Sequence, residues 1–218
     1  IGAMKTHMRA LHMSALQTAM NELSNHDHSR FLTRTNHRVG RISYAGAEAA
    51  SEGVNLAVMR EGVAIQMTWP GAPTVYYGDE AGLCGFTDPD NRRTYPWGRE
   101  DYQMIDFHRV MIRIHKQYEV LKTGSLAFLW NDYQGLAYAR FSRKEQMIVI
   151  VNNMDHAREV EVQLWQAGIS RLEDAKMERV VCTSAEGFTE APEVYTAAAG
   201  ILRMQMPAFG CVVLYHKN

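Results

Sequence analysis

The sequence predicts an α/β unit followed by an all-β unit, with the division at residues 121/122. Three observations carry this reading. Two stretches with helical periodicity, 54–69 and 101–120, bracket a short apolar run at 73–77 that is rich in β-branched and aromatic residues. Beyond residue 122 the pattern changes to short segments separated by turn residues, which suggests an antiparallel β-sandwich. No Pro/Gly/Ser-rich linker marks the change, so the two units are expected to pack together.

In chain order, residues 13–20 read as a short helix, 22–30 as a compact polar segment and 33–51 as a loop with Gly40 and Gly46. In 54–69, Leu56, Met59, Val63 and Met67 recur at spacings of 3, 4 and 4 and share a face, and Pro70-Gly71 stops the helix. Residues 73–77 suit a strand buried on both faces, as in a parallel sheet, ended by Gly78-Asp79-Glu80. In 101–120, Met104, Phe107, Met111, Ile114 and Tyr118 form a stripe that is assigned to core packing. Strands are expected at 145–151, 158–164, 201–206 and 211–215. The second alternates Val160, Val162 and Leu164 against Glu159, Glu161 and Gln163.

Composition narrows the function classes. Hydrophobic residues make up 46% and charged residues 22% of 218, the balance of a globular protein. The net charge of −1 and the lack of a basic stripe argue against a nucleic-acid partner. No polybasic patch or apolar run of ~20 residues points to a membrane. Cys84, Cys182 and Cys211 are too few and too scattered for a disulfide framework or a zinc motif. The chain begins Ile1-Gly2-Ala3-Met4, without an initiator Met or a signal-peptide pattern, which suits a trimmed chain or the C-terminal part of something longer. The compartment stays open between cytoplasmic and secreted.

Three constellations could carry chemistry. The first is Asn25-His26-Asp27 followed by Arg30, where a carboxylate beside an imidazole can stabilise positive charge and hold a hydroxyl. The bland alternative is a polar turn in which Asp27 caps a helix. A third reading takes His26, Asp27 and His28 as metal ligands, but no further ligands cluster nearby in sequence. The second constellation, 70–80, places Asp79 and Glu80 at a strand's C-terminal end, where α/β folds bind ligands. The third, 87–97, is a loop rich in Asp, Arg and aromatic residues, suited either to a sugar or to a salt-bridged surface.

Taken in order, Asn-His-Asp, a helix, Pro-Gly-x-Pro-x-x-Tyr-Tyr-Gly-Asp-Glu and Asp-Pro-Asp-Asn-Arg-Arg-x-Tyr-Pro-Trp resemble the α-amylase superfamily of glycoside hydrolases. The last motif is most similar to the neopullulanase, cyclomaltodextrinase and amylopullulanase branch. The resemblance covers most of residues 14–120, and 122–218 resemble the family's C-terminal β-sandwich more weakly. It implies the C-terminal part of a (β/α)₈ TIM barrel, with 22–27 on and after strand seven, strand eight at 73–77 and the last barrel helix at 101–120. It implies Asp27 as the family's third catalytic carboxylate, which stabilises the transition state, and His26 as a substrate-binding histidine. Arg30, Asp90, Arg92 and Arg93 would stand at or near the substrate rim. No cofactor is implied, and a calcium requirement of the longer protein is left open.

Retaining glycosidases need two more carboxyl groups, a nucleophile and an acid/base, ~5–5.5 Å apart. In the family the nucleophile follows an Arg by two residues after strand four, and the acid/base is a Glu after strand five. Arg99-Glu100-Asp101 is the only Arg-x-Asp here, and it follows the eighth-strand motif. The leading expectation is therefore a C-terminal fragment of an α-glucan hydrolase, inactive alone, that partners a complementary N-terminal fragment or self-associates. The linkage is left open between α-1,4 alone and α-1,4 with α-1,6. The alternative is a non-catalytic glucan-binding or assembly module.

Overall fold

The computed structural model describes residues 2–38 and 40–218. The first part runs α1 (Gly2–Arg9), α2 (Met13–Thr18), β1 (Met20–Asn21), α3 (Phe31–Arg34), α4 (Ile42–Ala45), α5 (Leu56–Thr68), β2 (Ala72–Pro73), α6 (Tyr102–Gln117) and α7 (Glu119–Thr123). The second runs β3 (Ser125–Asn131), β4 (Gly135–Phe141), β5 (Glu145–Asn152), β6 (Arg158–Gln163), β7 (Ala175–Thr183), β8 (Phe188–Thr189), β9 (Val194–Ala198), β10 (Ile201–Met206) and β11 (Gly210–Lys217).

Local chemistry sets the long helices. Asn55 caps α5 by accepting the N–H groups of Ala57 and Val58. The helix stops at Thr68 because Trp69 precedes a proline and is extended, at φ −70° and ψ 151°. Asp101 caps α6 by accepting the N–H of Met104 at 3.0 Å. The stripe Met104, Phe107, Met111 and Ile114 is buried as its spacing predicts. Tyr118 leaves helical geometry, so the expected single helix divides into α6 and α7.

β1 and β2 are parallel neighbours, with Met20 opposite Ala72 and Asn21 opposite Pro73. With α5 between them in sequence they make a β-α-β unit, so both C-terminal ends face the same way. The predicted strand at 73–77 needs correction, since only Ala72–Pro73 is strand. The Thr74 N–H still donates to the Asn21 carbonyl at 2.8 Å, and the chain then leaves the ladder. Residues 75–77 are not enclosed on two faces, and Tyr77 is 41% exposed. Their aromatic rings stack on Arg30 instead of on sheet neighbours.

The β-rich part also departs from expectation. Its nine strands form one sheet, ordered β3-β4-β5-β11-β7-β9-β10-β6 with β8 on β7, in place of a two-sheet sandwich. All pairings are antiparallel, and the sheet rolls until its end strands β3 and β6 touch. Ile148, Ile150, Val160, Val162, Val212 and Leu214 fill the inside of the roll. The alternate residues Met147, Val149, Val151, Cys211 and Val213 face α5 and α6, sharing one core with Met59, Val63, Phe107 and Met111.

Buried polar bonds fasten the joint. The fully buried Arg140 donates to the carbonyls of Thr68 (3.1 Å), Leu121 (2.8 Å) and Gly124 (2.9 Å), so one strand side chain satisfies the ends of two helices. Thr68 bonds the Tyr138 hydroxyl, and Arg60 donates to Ser184 O at 2.9 Å.

Candidate functional site

The loops leaving β1 and β2 meet at the C-terminal end of the parallel pair. After β1 the chain makes an Asx turn. Asn25 Oδ1 accepts the N–H groups of Asp27 (2.9 Å) and His28 (3.1 Å), while its Nδ2 donates to Glu22 Oε1 at 2.6 Å. The turn pushes its two central side chains outward. His26 Nε2 lies 3.5 Å from Asp27 Oδ1, and the side chains are 62% and 67% exposed.

The 87–97 loop grips this turn from below. Thr87 donates to Asp27 O at 2.8 Å, and the fully buried Asn91 donates to Asn25 O (3.2 Å) and His28 O (2.8 Å). Only glycine fits at position 85, where a Cβ would stand 2.5 Å from Asp90 O. That close approach lets Gly85 O accept the Arg30 N–H at 3.0 Å.

Arg30 needs correction. Its expected place on a rim conflicts with its burial, 0% exposed. Its guanidinium donates to Asn91 O (2.9 Å), Tyr77 O (2.8 Å) and Asp79 Oδ1 (3.0 Å), and lies against the Tyr76 and Tyr77 rings. Burial pushes the Asp79 carboxyl up to about 6, with Ser24 and Arg30 pulling it back, so it is ionised at neutral pH. Arg30 thus joins both loops from within.

Asp90 is also inside, 5% exposed, accepting the Phe86 N–H and a bidentate pair from Arg93, each bond 2.8 Å. Arg93 also donates to Ala47 O at 2.8 Å, which commits most of its donors to the loop. Arg92 does reach the surface, where it pairs with Asp88 one helical turn back. The structure therefore brings His26 and Asp27 together at the surface and uses Arg30, Asp90 and Arg93 to hold the loops beneath them.

The sequence places Asn25, Asp79, Asp88 and Asn91 within the three constellations but gives none of them the supporting role seen here. An Asn two residues before Asp27 is itself an Asx-turn signal. The i,i+4 spacing of Asp88 and Arg92 was also visible. The carbonyls that Asn91 meets are fixed only by the tertiary fold. Among the described residues, no group of three His, Cys, Asp or Glu side chains converges as metal ligands would. No described helix is long and apolar enough to cross a membrane. A cavity of about 260 Å³ walled by Met20, Leu23, Ile65 and Trp69 lies along β1, apart from the two exposed groups.

What this surface can do follows from its atoms. A solvated carboxylate next to an imidazole accepts hydrogen bonds from neighbouring hydroxyls and stabilises positive charge developing between them.

Comparison with known proteins assigns residues 2–169 to the family described as "Alpha amylase, catalytic domain", a match that crosses residue 121 into the sheet. The chain is 35% identical to an amylopullulanase of Thermoanaerobacter thermohydrosulfuricus over 158 residues, which are 66% of this chain and 10% of the relative. It is 32% identical to a cyclomaltodextrinase of Thermoanaerobacter pseudethanolicus, covering 69% of this chain and 24% of the relative. Neopullulanase 2 of Thermoactinomyces vulgaris is 32% identical, covering 71% and 24%. The chain thus spans between about a tenth and a quarter of these relatives. Among solved structures, an Anoxybacillus α-amylase superposes on 99% of this chain and 41% of its own, with a TM-score of 0.74 at 21% identity. The acarbose complex of a Geobacillus thermoleovorans α-amylase covers 93% and 39%, with a TM-score of 0.70 at 18% identity, a likeness of fold.

Proposed function

The chain belongs to the α-amylase catalytic-domain family, and from that premise we infer that it is the C-terminal part of a retaining α-glucan hydrolase. In this reading β1 and β2 are the seventh and eighth strands of a (β/α)₈ barrel, and a β-rich domain follows residue 121. The substrate is an α-glucan oligosaccharide or polysaccharide. The bond cleaved is α-1,4, with α-1,6 as the second linkage to test.

The observation that carries the reading is the exposed His26–Asp27 pair, held by an Asx turn at the C-terminal end of two parallel strands, where barrel enzymes keep their chemistry. Asp27 holds ring hydroxyls and strengthens that hold as the sugar flattens and gains positive charge, so it favours the transition state over the ground state. His26 donates to a hydroxyl of the same ring. The displacement itself needs a nucleophile and an acid/base ~5–5.5 Å apart. No motif of this sequence supplies them, so the chain alone is inactive. β1 keeps one edge unpaired among the described residues, which gives the preceding barrel strands, or a second copy, a place to pair.

The test is an assay of the purified chain on starch, pullulan and cyclodextrin, with light scattering. No turnover, together with self-association or capture of a complementary N-terminal segment, is the expected outcome. Turnover that survives Asp27→Asn, or a stable monomer, would overturn the respective part.

A further inference from the structure

Helix α6 carries two seams, and only one of them is buried. Met104, Phe107, Met111 and Ile114 face the core. On the other side Tyr102, Ile105, Arg109, Ile112 and Lys116 recur at spacings of 3, 4, 3 and 4. That is the spacing by which one helix meets another along its length. Tyr102 is 66% exposed, Ile105 and Ile112 are half-buried, and Arg109 and Lys116 are exposed. A groove of about 490 Å³ follows the second half of this seam. Its walls are Arg109, Ile112, Arg113, Lys116 and Gln117, all from α6 itself.

The charges beside the seam are ordered. Asp106 stands in the first half of α6 and Arg113 two turns later, on the same flank. Their side chains are 60% and 56% exposed, and they pair at the surface with Arg109 and Glu190. Water screens such pairs, so they exchange partners at little cost.

An acid early and a base late make the helix complementary to its own reverse. Laid antiparallel on a copy of itself about Arg109, α6 sets Ile105 against Ile112 of the second copy. It sets the Tyr102 ring opposite the Lys116 ammonium, a cation–π arrangement. On the flank it sets Asp106 beside Arg113. A two-fold axis makes each of these contacts twice. Arg109 meets its own copy at the axis, where the two Asp106 carboxylates offset the two guanidinium groups. We propose that the outward seam of α6 is a docking surface for a second copy of this chain, joined as an antiparallel helix pair with two-fold symmetry. The seam stands apart from the Asp27 surface and from the open edge of β1, so the inference does not rest on the proposed reaction.

The test is sedimentation velocity over a concentration series of the chain, of Arg113→Glu, of Asp106→Arg and of an equimolar mixture of the two variants. The wild type should dimerise. Each variant alone should dimerise at least ~tenfold more weakly, because the symmetry sets two like-charge pairs where two opposite pairs stood. Both should keep the wild-type circular dichroism, since the altered side chains are exposed. The mixture should regain the dimer, because each variant supplies the charge that the other has reversed. Failure of the mixture to recover would overturn the seam. So would self-association that survives both variants, which would assign it to another surface such as the edge of β1. A chain that stays monomeric and instead captures the N-terminal segment of the longer protein, in a manner lost in Arg113→Glu, would give the seam to that segment and overturn the second copy.

Discussion

Two pairs that each set a carboxylate against a nitrogen-bearing side chain lie almost side by side in this molecule and live in opposite surroundings. His26–Asp27 is mostly solvated at 3.5 Å, and Arg30–Asp79 is sealed at 3.0 Å. Water screens the first, so it contributes little to folding and stays available for a ligand. The second has surrendered its hydration, and its worth depends on every donor and acceptor being matched. Three bonds from one guanidinium to both loops, through Nε and Nη1, meet much of that demand, while Nη2 is buried without a hydrogen-bond partner among the described residues. The lesson is a division of labour between the two pairs: the pair able to meet substrate is exposed, and the pair that fixes its backbone is buried.

The comparison breaks most visibly at the buried pair. Asp79→Asn leaves Arg30 charged, enclosed and short of its counter-ion. Removing one partner of such a pair typically lowers stability by about 3–5 kcal/mol. Urea unfolding of the chain should show that loss, and Arg30→Met combined with Asp79→Leu should recover much of it. A loss below ~1 kcal/mol would mean that the pair is solvated like its neighbour.

At the exposed pair the signs reverse. Asp27→Asn keeps the shape and removes the charge. In the complete hydrolase kcat should fall about a hundredfold or more, ~3 kcal/mol in barrier terms. The thermal midpoint should move by no more than a few degrees, and His26→Asn should do less on both counts. Intact kcat with a lowered midpoint would make Asp27 a structural cap.

Glu61 sharpens the contrast, as a buried acid that lacks the counter-ion Asp79 enjoys. It is 3% exposed, its Oε1 has no hydrogen-bond partner among the described residues, and burial raises its pKa to about 9. The folded state therefore holds a proton that the unfolded chain releases near 4.5. Its contribution is full below pH 4.5 and is lost as pH rises towards 9, at up to ~1.4 kcal/mol per pH unit. Between pH 6 and pH 8 the chain should lose roughly 2–3 kcal/mol from this group, and Glu61→Gln should flatten that slope. Identical slopes in urea titrations of the two proteins would place Glu61 in contact with water.

How much of this was legible in the sequence depends on whether the cause was local. The α6 stripe could be read because Met104, Phe107, Met111 and Ile114 fall on one face whatever surrounds them. β1 could not, since Met20–Asn21 has no pattern of its own and becomes a strand only beside Ala72–Pro73. β4 was missed because Ala137, Tyr138, Ala139 and Arg140 are buried on both faces, which erases the alternation that marks a half-exposed strand. His26 and Asp27 were found through an ordered set of motifs. Arg30, Asp90 and Arg93 belong to the same motifs, yet charge alone does not say whether a side chain meets solvent or a ring of carbonyls.

The smallest effect tests what connects the two pairs. Asn25 touches neither the His26 nor the Asp27 side chain, but it accepts the N–H groups of Asp27 and His28 and so sets where Asp27 points. Asn25→Ala removes the one oxygen that accepts both N–H groups in a half-buried turn, a loss of about 1 kcal/mol in stability at a typical net worth per hydrogen bond. A carboxylate displaced by a fraction of an ångström binds the ground state nearly as before but meets the flattened ring less well. In the complete hydrolase kcat should therefore fall by about tenfold with KM little changed, an order-of-magnitude effect of lost positioning. Asn25→Asp keeps the acceptor, sets a carboxylate against Glu22 and should fall between wild type and Asn25→Ala. Asn91 holds the same turn from the buried side through the carbonyls of Asn25 and His28. If Asn25→Ala leaves kcat unchanged while Asn91→Ala abolishes both folding and activity, the turn is positioned wholly from within, and the exposed pair owes its geometry to the buried one alone.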